Sequence, residues 1–136
     1  MAGYSGTPLA KKLGYKPGQQ AYVDGGPDNY LQMLDPLPDN VSFMPRLVGK
    51  LDLIHVFTTD AVTLAAKLEK YLHNLVSNGS IWVSWPKKAA KVPTDVTEDV
   101  VRALALPLGL VDVKVCAVDE TWSGLKLVIR VENRGK

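Results

Sequence analysis

Residues 79–88, GSIWVSWPKK, decide the fold that the sequence predicts. Residues 81–85 combine Ile, Val and two Trp, which suit a pleated strand with both faces covered, and Pro86 ends this run. We therefore predict a buried strand near the centre of a sheet. In open α/β sheets ligands collect outside the carboxyl ends of the strands, so a site is expected where this strand ends, after Trp85.

Strand and helix patterns alternate on the amino-terminal side of this stretch. The predicted elements are, in order, a short helix with Thr7 as N-cap and Gly14 as stop signal, a strand at Gln20–Asp24, a helix starting at Pro27, a short strand at residues 41–44, a strand at Leu51–Phe57, and a helix from Ala61 to Asn78-Gly79. In the helix after Pro27, Tyr30, Leu31 and Leu34 are predicted to share a buried face. This order predicts a βαβ unit with a right-handed crossover.

A helix and a hairpin are predicted on the carboxyl-terminal side. In residues 94–106, Asp95 and Glu98 have the spacing of a capping pair, and Val96, Val100, Ala103 and Leu104 are predicted to face the sheet. Strands at 110–119 and 125–131 are joined by the short connection 120–124, with a Gly at its corner. We therefore predict one α/β domain over residues 1–136, three-layered, with a mostly parallel sheet and a C-terminal antiparallel hairpin.

Composition and charge argue against several classes of protein. Sixteen basic and 14 acidic residues among 136 leave a net charge of +2, too small and too dispersed to indicate nucleic-acid or membrane binding. No stretch approaches the roughly twenty apolar residues that span a bilayer, and the N-terminus lacks a signal-peptide core. The single cysteine, Cys116, cannot form an internal disulfide, so we expect a cytoplasmic protein with a buried, inert thiol.

Catalytic and metal-binding motifs are missing from the sequence. G-x-S-x-G, C-x-x-C and H-E-x-x-H do not occur, so we assign no catalytic residue, no metal and no cofactor. His55 interrupts a buried strand and is a weaker candidate, because such a histidine is more often hydrogen-bonded within the structure. Gly25 and Gly26 are also weaker candidates: the following helix start would hold an anion, but turn geometry is the favoured interpretation.

The richest polar constellation is the loop after the central strand together with the hairpin connection. Its lysines would attract an anionic small molecule or an acidic protein segment, while Trp85 and Trp122 would supply flat apolar surface. The alternative leaves the lysines in solvent, Trp85 in the core and Trp122 packed on the hairpin corner. The candidate ligand- or partner-binding residues are Trp85, Pro86, Lys87, Lys88, Thr94, Asp95, Glu98, Asp119, Trp122 and Ser123.

Three stretches resemble one known family. They are GYSGTPLAKKLGYKPG at 3–18, WVSWPKKAAKVPTDVTEDVVR at 82–102 and LGLVDVKVCAVDETWSGLKLVIR at 108–130. Together they are similar to a family of small bacterial proteins described as a domain of unknown function. This resemblance covers both ends and the second half of the chain, and it implies no activity.

A more distant similarity is to the class I S-adenosylmethionine-dependent methyltransferase fold. That fold has a glycine-rich turn after its first strand, a strand of FDLI type before a helix, and an antiparallel hairpin at the end of its sheet. Here residues 20–26, 51–57, 75–83 and 110–131 follow the same order. The turn from Asp24 to Pro27 lacks that family's G-x-G, and no acidic residue near Met44 corresponds to the one that holds the ribose.

These departures favour one of two functional interpretations. The first is a non-enzymatic ligand- or protein-binding module on a shortened, degenerate methyltransferase-like scaffold. The alternative is a small enzyme, or a binder of S-adenosylmethionine or a nucleotide, that uses the same edge of the sheet after the central strand. The missing glycine motif and the lack of a paired base and nucleophile favour the first.

Overall fold

The computed structural model describes residues 7–134, which form a six-stranded sheet with helices on both faces. Short 3-10 turns lie at Lys88–Ala90, Leu106–Leu108 and Val131–Asn133. The helices and strands, in chain order, are α1 (Leu9–Leu13), β1 (Gln20–Asp24), α2 (Tyr30–Met33), β2 (Ser42–Phe43), β3 (Leu51–Phe57), α3 (Ala61–His73), β4 (Leu75–Pro86), α4 (Glu98–Ala105), β5 (Leu110–Ala117) and β6 (Trp122–Ile129).

The strand order in the sheet is β2-β1-β3-β4-β6-β5. Strands β1 to β4 are parallel, β6 runs antiparallel to β4, and β5 runs antiparallel to β6. The C-terminal hairpin therefore places its second strand against the parallel part of the sheet and its first strand at the edge. This arrangement confirms the predicted α/β architecture, with β4 near the centre between β3 and β6.

Side chains of β4 alternate between two apolar clusters. Ile81, Val83 and Trp85 pack in a cluster with residues of α3 and α4, and we call this side of the sheet the α3/α4 face. Trp82 packs with α1 and with Tyr30 of α2 on the opposite side, the α1/α2 face. Both faces of β4 are covered, which explains why its sequence is apolar at nearly every position from residue 81 to residue 85.

Helix α3 ends earlier than the sequence predicts. The Asp60 carboxylate caps its first turn by accepting from the Thr63 N–H at 2.8 Å, as expected. The helix stops at His73 rather than at Asn78-Gly79, and Leu75 already begins β4. The Leu51 N–H donates to the Asn74 carbonyl at 2.7 Å, so pairing with β3 captures the chain there. Leu75 is buried in the strand, as the helical pattern also required. Apolar periodicity therefore could not distinguish a longer helix from an earlier start of β4.

Helix α4 begins at Glu98, and the predicted capping pair of Asp95 and Glu98 is wrong. Thr97 is the N-cap, and its hydroxyl accepts from the Val100 N–H at 3.2 Å. Val96 is buried and Leu104 packs partly buried against the same cluster, as predicted. Val101 and Ala105 are buried instead of Val100 and Ala103, of which Ala103 is exposed. Pairing rules based on local spacing cannot identify which of several adjacent Thr and Asp residues caps a helix.

Helix α2 has only four residues, and its predicted apolar face is partly wrong. Tyr30 and Leu34 are buried, but 59% of Leu31 is exposed. Because the helix ends within about one turn, residues on neighbouring positions cannot all reach the sheet.

The hairpin connection is residues 118–121 rather than 120–124. The Asp119 carboxylate accepts from the N–H groups of Thr121 at 2.8 Å and Trp122 at 2.7 Å, and this side chain forms the turn in place of a glycine corner. Gly124 instead lies inside β6, opposite Ser84 and Cys116. A Cβ at Gly124 would lie 3.2 Å from Cε3 of Trp82, so the missing side chain makes room for the indole.

Candidate ligand-binding rim

The carboxyl ends of the parallel strands meet at one edge of the sheet with the β5–β6 connection. We call this edge the rim; it consists of residues 24–27, 57–60, 85–97 and 119–123. Pro86 at the end of β4 pairs with Trp122 at the start of β6, and the Lys87 N–H donates to the Thr121 carbonyl at 2.7 Å. The loop after the central strand and the hairpin connection are therefore joined directly.

A cavity of about 440 Å³ opens in the rim after β4. Its volume lies within the range of small-molecule sites, roughly 300–1,000 Å³. Trp85 and Val96 are almost fully buried in its wall. The Lys88 ammonium group makes no hydrogen bond or ion pair with residues 7–134. The cavity is lined by Trp85, Pro86, Lys88, Val92, Pro93, Thr94, Val96 and Thr97.

Four of the sequence-derived candidates line this cavity, and four lining residues were not predicted. Val92, Pro93 and Val96 carry no polar group, and Thr97 resembled an ordinary helix-start residue, so none had a chemical signal in the sequence. Only their position could have indicated these residues, because Pro86 and Pro93 enclose an irregular segment directly after the central strand.

The outer wall of the cavity is tied to the loop between β3 and α3. The Thr94 hydroxyl donates to the Thr59 carbonyl at 2.8 Å. The Asp95 carboxylate accepts from the N–H of Ala61, the first residue of α3, at 2.8 Å. Asp95 therefore serves α3, 34 residues earlier in the chain, rather than α4. These bonds hold residues 92–97 over the end of β4 and keep the cavity formed.

Replacing Asp95 by Ala is expected to lower the melting temperature by about 3–5 °C, because the amino end of α3 loses a carboxylate partner. Thermal unfolding followed by circular dichroism measures this change. Asp99→Ala is the matched control: that side chain is 95% exposed and pairs only with Arg102 on its own helix, so the shift should stay below about 2 °C. Equal shifts for both variants would contradict the assignment of Asp95.

Glu98 does not line the cavity. Its carboxylate pairs with Arg102, which also contacts Asp99 at 3.1 Å and Asp112 of β5 at 2.9 Å. The hydrogen bonds that Arg102 donates to Asp112 and Glu98 raise the pKa of Arg102, and the same guanidinium lowers the pKa of the Asp112 carboxyl. This cluster fixes α4 on the hairpin, and it removes Glu98 from the candidate ligand contacts.

The remaining candidates near the hairpin have mainly structural partners. Trp122 is half-buried on the α1/α2 face and meets the ring of Phe57 edge-on, with centroids 5.1 Å apart. Asp119 holds the hairpin turn, and Ser123 pairs with Trp85 within the sheet. Lys87 does not line the cavity. The structure thus brings together Trp85, Pro86, Lys88 and Thr94 and leaves the other predicted residues outside the cavity.

The Gly25-Gly26 turn packs tightly against neighbouring strands. Gly25 has a φ of +73°, and a Cβ there would lie 2.8 Å from the Phe57 carbonyl oxygen. A Cβ on Gly26 would lie 2.7 Å from Cγ1 of Val23. Beside them, the Asp24 carboxylate accepts from the Tyr71 hydroxyl at 2.5 Å and from the Lys67 ammonium at 3.1 Å. The two glycines therefore make room for protein atoms.

His55 lies in a buried hydrogen-bonded chain on the α1/α2 face. Its Nδ1 is 2.8 Å from the Tyr30 hydroxyl and its Nε2 is 2.8 Å from the Ser84 hydroxyl, while Tyr30 and Tyr15 share a bond of 2.7 Å. Burial lowers the pKa of His55 to about 3, so its imidazole is neutral. The cavity, by contrast, adjoins Trp85 and Val96 of the α3/α4 cluster. His55 accordingly has a structural hydrogen-bonding role in this arrangement.

Three further findings concern the cysteine thiol, metal binding and membrane-spanning helices. Burial raises the pKa of the Cys116 thiol. Among residues 7–134, no group of three or more His, Cys, Asp or Glu side chains is placed to hold a metal ion. In the same part of the chain, no helix has the length and apolar character needed to cross a membrane.

No family model and no curated protein matches the sequence. Solved structures do match the fold. The magnesium protoporphyrin IX methyltransferase of Synechocystis, with bound SAM, has a TM-score of 0.60 and 12% identity over 89% of this chain and 74% of its own. The N-methyltransferase NodS of Bradyrhizobium japonicum has a TM-score of 0.57 and 13% identity, over 90% of each chain. The ribosomal protein L11 methylase of Lactobacillus delbrueckii has a TM-score of 0.56 and 14% identity, over 90% of this chain and 75% of its own.

These neighbours establish a methyltransferase-like, Rossmann-like fold. The expected non-enzymatic binding module is contradicted, because the structures that share the fold include several methyltransferases, one of them with SAM bound. They agree better with the alternative interpretation, a small enzyme or a binder of S-adenosylmethionine or a nucleotide. Low identity limits the likeness to the fold, so the site must be argued from this chain's own residues.

The turn after β1 is filled by protein atoms, whereas the rim cavity is open. At the turn, the Phe57 carbonyl and the Val23 side chain fill the space beside the two glycines, and Asp24 is already bonded to Tyr71 and Lys67. In the cavity, apolar walls, an unpaired ammonium group and a volume of about 440 Å³ suit a flat base that carries an anionic group.

Proposed function

We propose that the protein binds S-adenosylmethionine or a related adenine nucleotide in the rim cavity, as a small enzyme or a cofactor-binding protein. One observation carries this proposal: the cavity of about 440 Å³ lies at the carboxyl end of the central strand, where ligands of such sheets collect. The fold that this chain shares with methyltransferases supports it.

Individual lining residues have distinct roles in this proposal. Trp85, Pro86 and Val92 provide apolar surface for a heterocyclic base. Lys88 provides a positive charge for the carboxylate of S-adenosylmethionine or the phosphate of a nucleotide. When bound, S-adenosylmethionine would supply an electrophilic methyl group. An anionic group on the ligand and a cytoplasmic location, both expected from the sequence, are parts of the proposal.

Calorimetric titration with S-adenosylmethionine, its demethylated product and AMP is the direct test. We expect micromolar binding of at least one of the three, and the preferred ligand then separates a methyl-donor site from a general nucleotide site. If none of the three ligands gives a binding signal in the titration, the proposal is overturned.

Lys88→Ala is expected to weaken that binding at least about tenfold, because it removes the only cationic side chain that residues 7–134 contribute to the cavity wall. Its melting temperature should stay nearly unchanged, since the side chain is exposed. Lys87→Ala is the matched control: the charge change is the same at the adjacent position, but Lys87 lies outside the cavity. An equal loss of affinity in both variants would place the ligand elsewhere.

A further inference from the structure

Four lysines lie near one another on the α1/α2 face, across the sheet from the rim cavity. Lys114 of β5 and Lys126 of β6 are directly opposite each other in the antiparallel pair. The Lys114 ammonium donates to the Lys12 carbonyl at 3.0 Å, and the Lys126 nitrogen lies 3.4 Å from the position a Cβ on Gly14 would take. Lys12 lies in the last turn of α1, and Lys16 follows that helix. We call Lys12, Lys16, Lys114 and Lys126 the lysine cluster.

This cluster does not neutralise its own charge. Like charges directly opposite on paired strands destabilise a sheet, with Cβ atoms only about 5 Å apart. Within residues 7–134, no Asp or Glu carboxylate lies within 4.0 Å of any of the four ammonium groups. Burial, together with the charges of Lys114 and Lys16, lowers the pKa of Lys126. The arrangement therefore costs stability unless an anion joins it.

We propose that the lysine cluster binds a compact oxyanion with two or more negative charges, a phosphate or pyrophosphate group. Lys114 and Lys126 come from adjacent strands, whereas Lys12 lies in the last turn of α1 and Lys16 in the segment after it. The four residues therefore surround one place rather than running along a stripe. A nucleic-acid strand would instead contact a row of charges spaced along its backbone. A phosphate group carries close to two charges at neutral pH and offers three acceptor oxygens to ammonium donors.

Thermal unfolding in inorganic phosphate, pyrophosphate or glycerol 3-phosphate tests this site, with sodium chloride keeping the ionic strength constant. We expect the melting temperature to rise by about 4 °C when the anion is at ten times its dissociation constant. A rise in melting temperature with all three compounds indicates a general phosphate site. A rise with phosphate and pyrophosphate alone indicates that phosphate esters are excluded, and both results support the proposal.

Variants of Lys126 separate a bound anion from general screening. Lys126→Met should abolish the rise and should raise the melting temperature without anion, because it removes the like-charge pair. Lys126→Arg keeps the charge and should keep the rise. Lys70→Met, which removes an exposed lysine of α3, should also keep it. The proposal is overturned if phosphate and pyrophosphate act no differently from chloride, if Lys126→Met responds like the wild type, or if the cluster binds an RNA oligonucleotide but neither anion.

Discussion

Acidification from pH 7.5 to pH 5 is expected to lower the free energy of unfolding by about 2 kcal/mol through His55 alone. Burial lowers the pKa of this imidazole from 6.5 to about 3 in the folded protein. Below pH 6.5 the unfolded chain binds a proton that the folded chain does not. The stabilising contribution is therefore complete above pH 6.5 and is lost as the pH falls towards 3.

The hydrogen-bonded chain around His55 explains why the neutral form is required. Both ring nitrogens face hydroxyl groups, of Tyr30 and Ser84, so a neutral ring can donate to one and accept from the other. A charged ring would need both hydroxyls to accept, and burial raises the pKa of Tyr30, so no phenolate is present to pair with it. His55 and Ser84 are fully buried, which leaves water no access to compensate.

Urea unfolding at a series of pH values between 5 and 7.5 measures this dependence. His55→Gln is expected to be less stable at pH 7.5 but to lose most of the pH dependence, because glutamine does not titrate. His73→Gln, at an exposed position in the last turn of α3, is the matched control and should keep it. The prediction fails if His55→Gln and the wild type lose stability in parallel.

The strands were the most predictable part of the fold. Gln20–Asp24 and Leu51–Phe57 have the same bounds in the sequence prediction and in the structure. Turn residues at 16–18 and 25–27 bound the first, and the second is a nearly unbroken apolar run. Pro86 ends β4 as predicted, since it has no N–H to donate within a ladder. A site at the carboxyl end of this strand, expected from the general geometry of such sheets, stays a prediction.

Contacts between distant residues were not predictable. Local spacing pairs Asp95 with Glu98, but the structure pairs Asp95 with Ala61 on another helix. Periodicity indicates that His55 is buried and hydrogen-bonded, yet its partners are 25 and 29 residues away. Val92 and Val96 line the cavity only because Thr94 and Asp95 hold that segment on the β3–α3 loop. Such contacts depend on tertiary packing, which no short sequence window contains.

Trp82→Ala is expected to cause the largest loss of stability, about 4 kcal/mol. Trp82 is the largest fully buried side chain of the described chain, and it fits into the space that Gly124 leaves. Its indole N–H donates to the Leu13 carbonyl at 2.7 Å, which fixes the end of α1 on the sheet. Removing the ring leaves a cavity and an unpaired carbonyl, and urea unfolding at neutral pH measures both costs together.

Trp82→Phe separates packing from hydrogen bonding, because phenylalanine keeps most of the apolar volume but has no N–H donor. We expect it to cost about 1–3 kcal/mol, the range for leaving a buried partner unpaired. Trp122→Phe is the matched control: that indole is only half-buried, its edge contact with Phe57 suits either ring, and the cost should stay below about 1.5 kcal/mol. If Trp82→Ala costs no more than Trp122→Phe, then Trp82 does not hold α1 on the sheet, and the packing of Leu9 and Leu13 must do so instead.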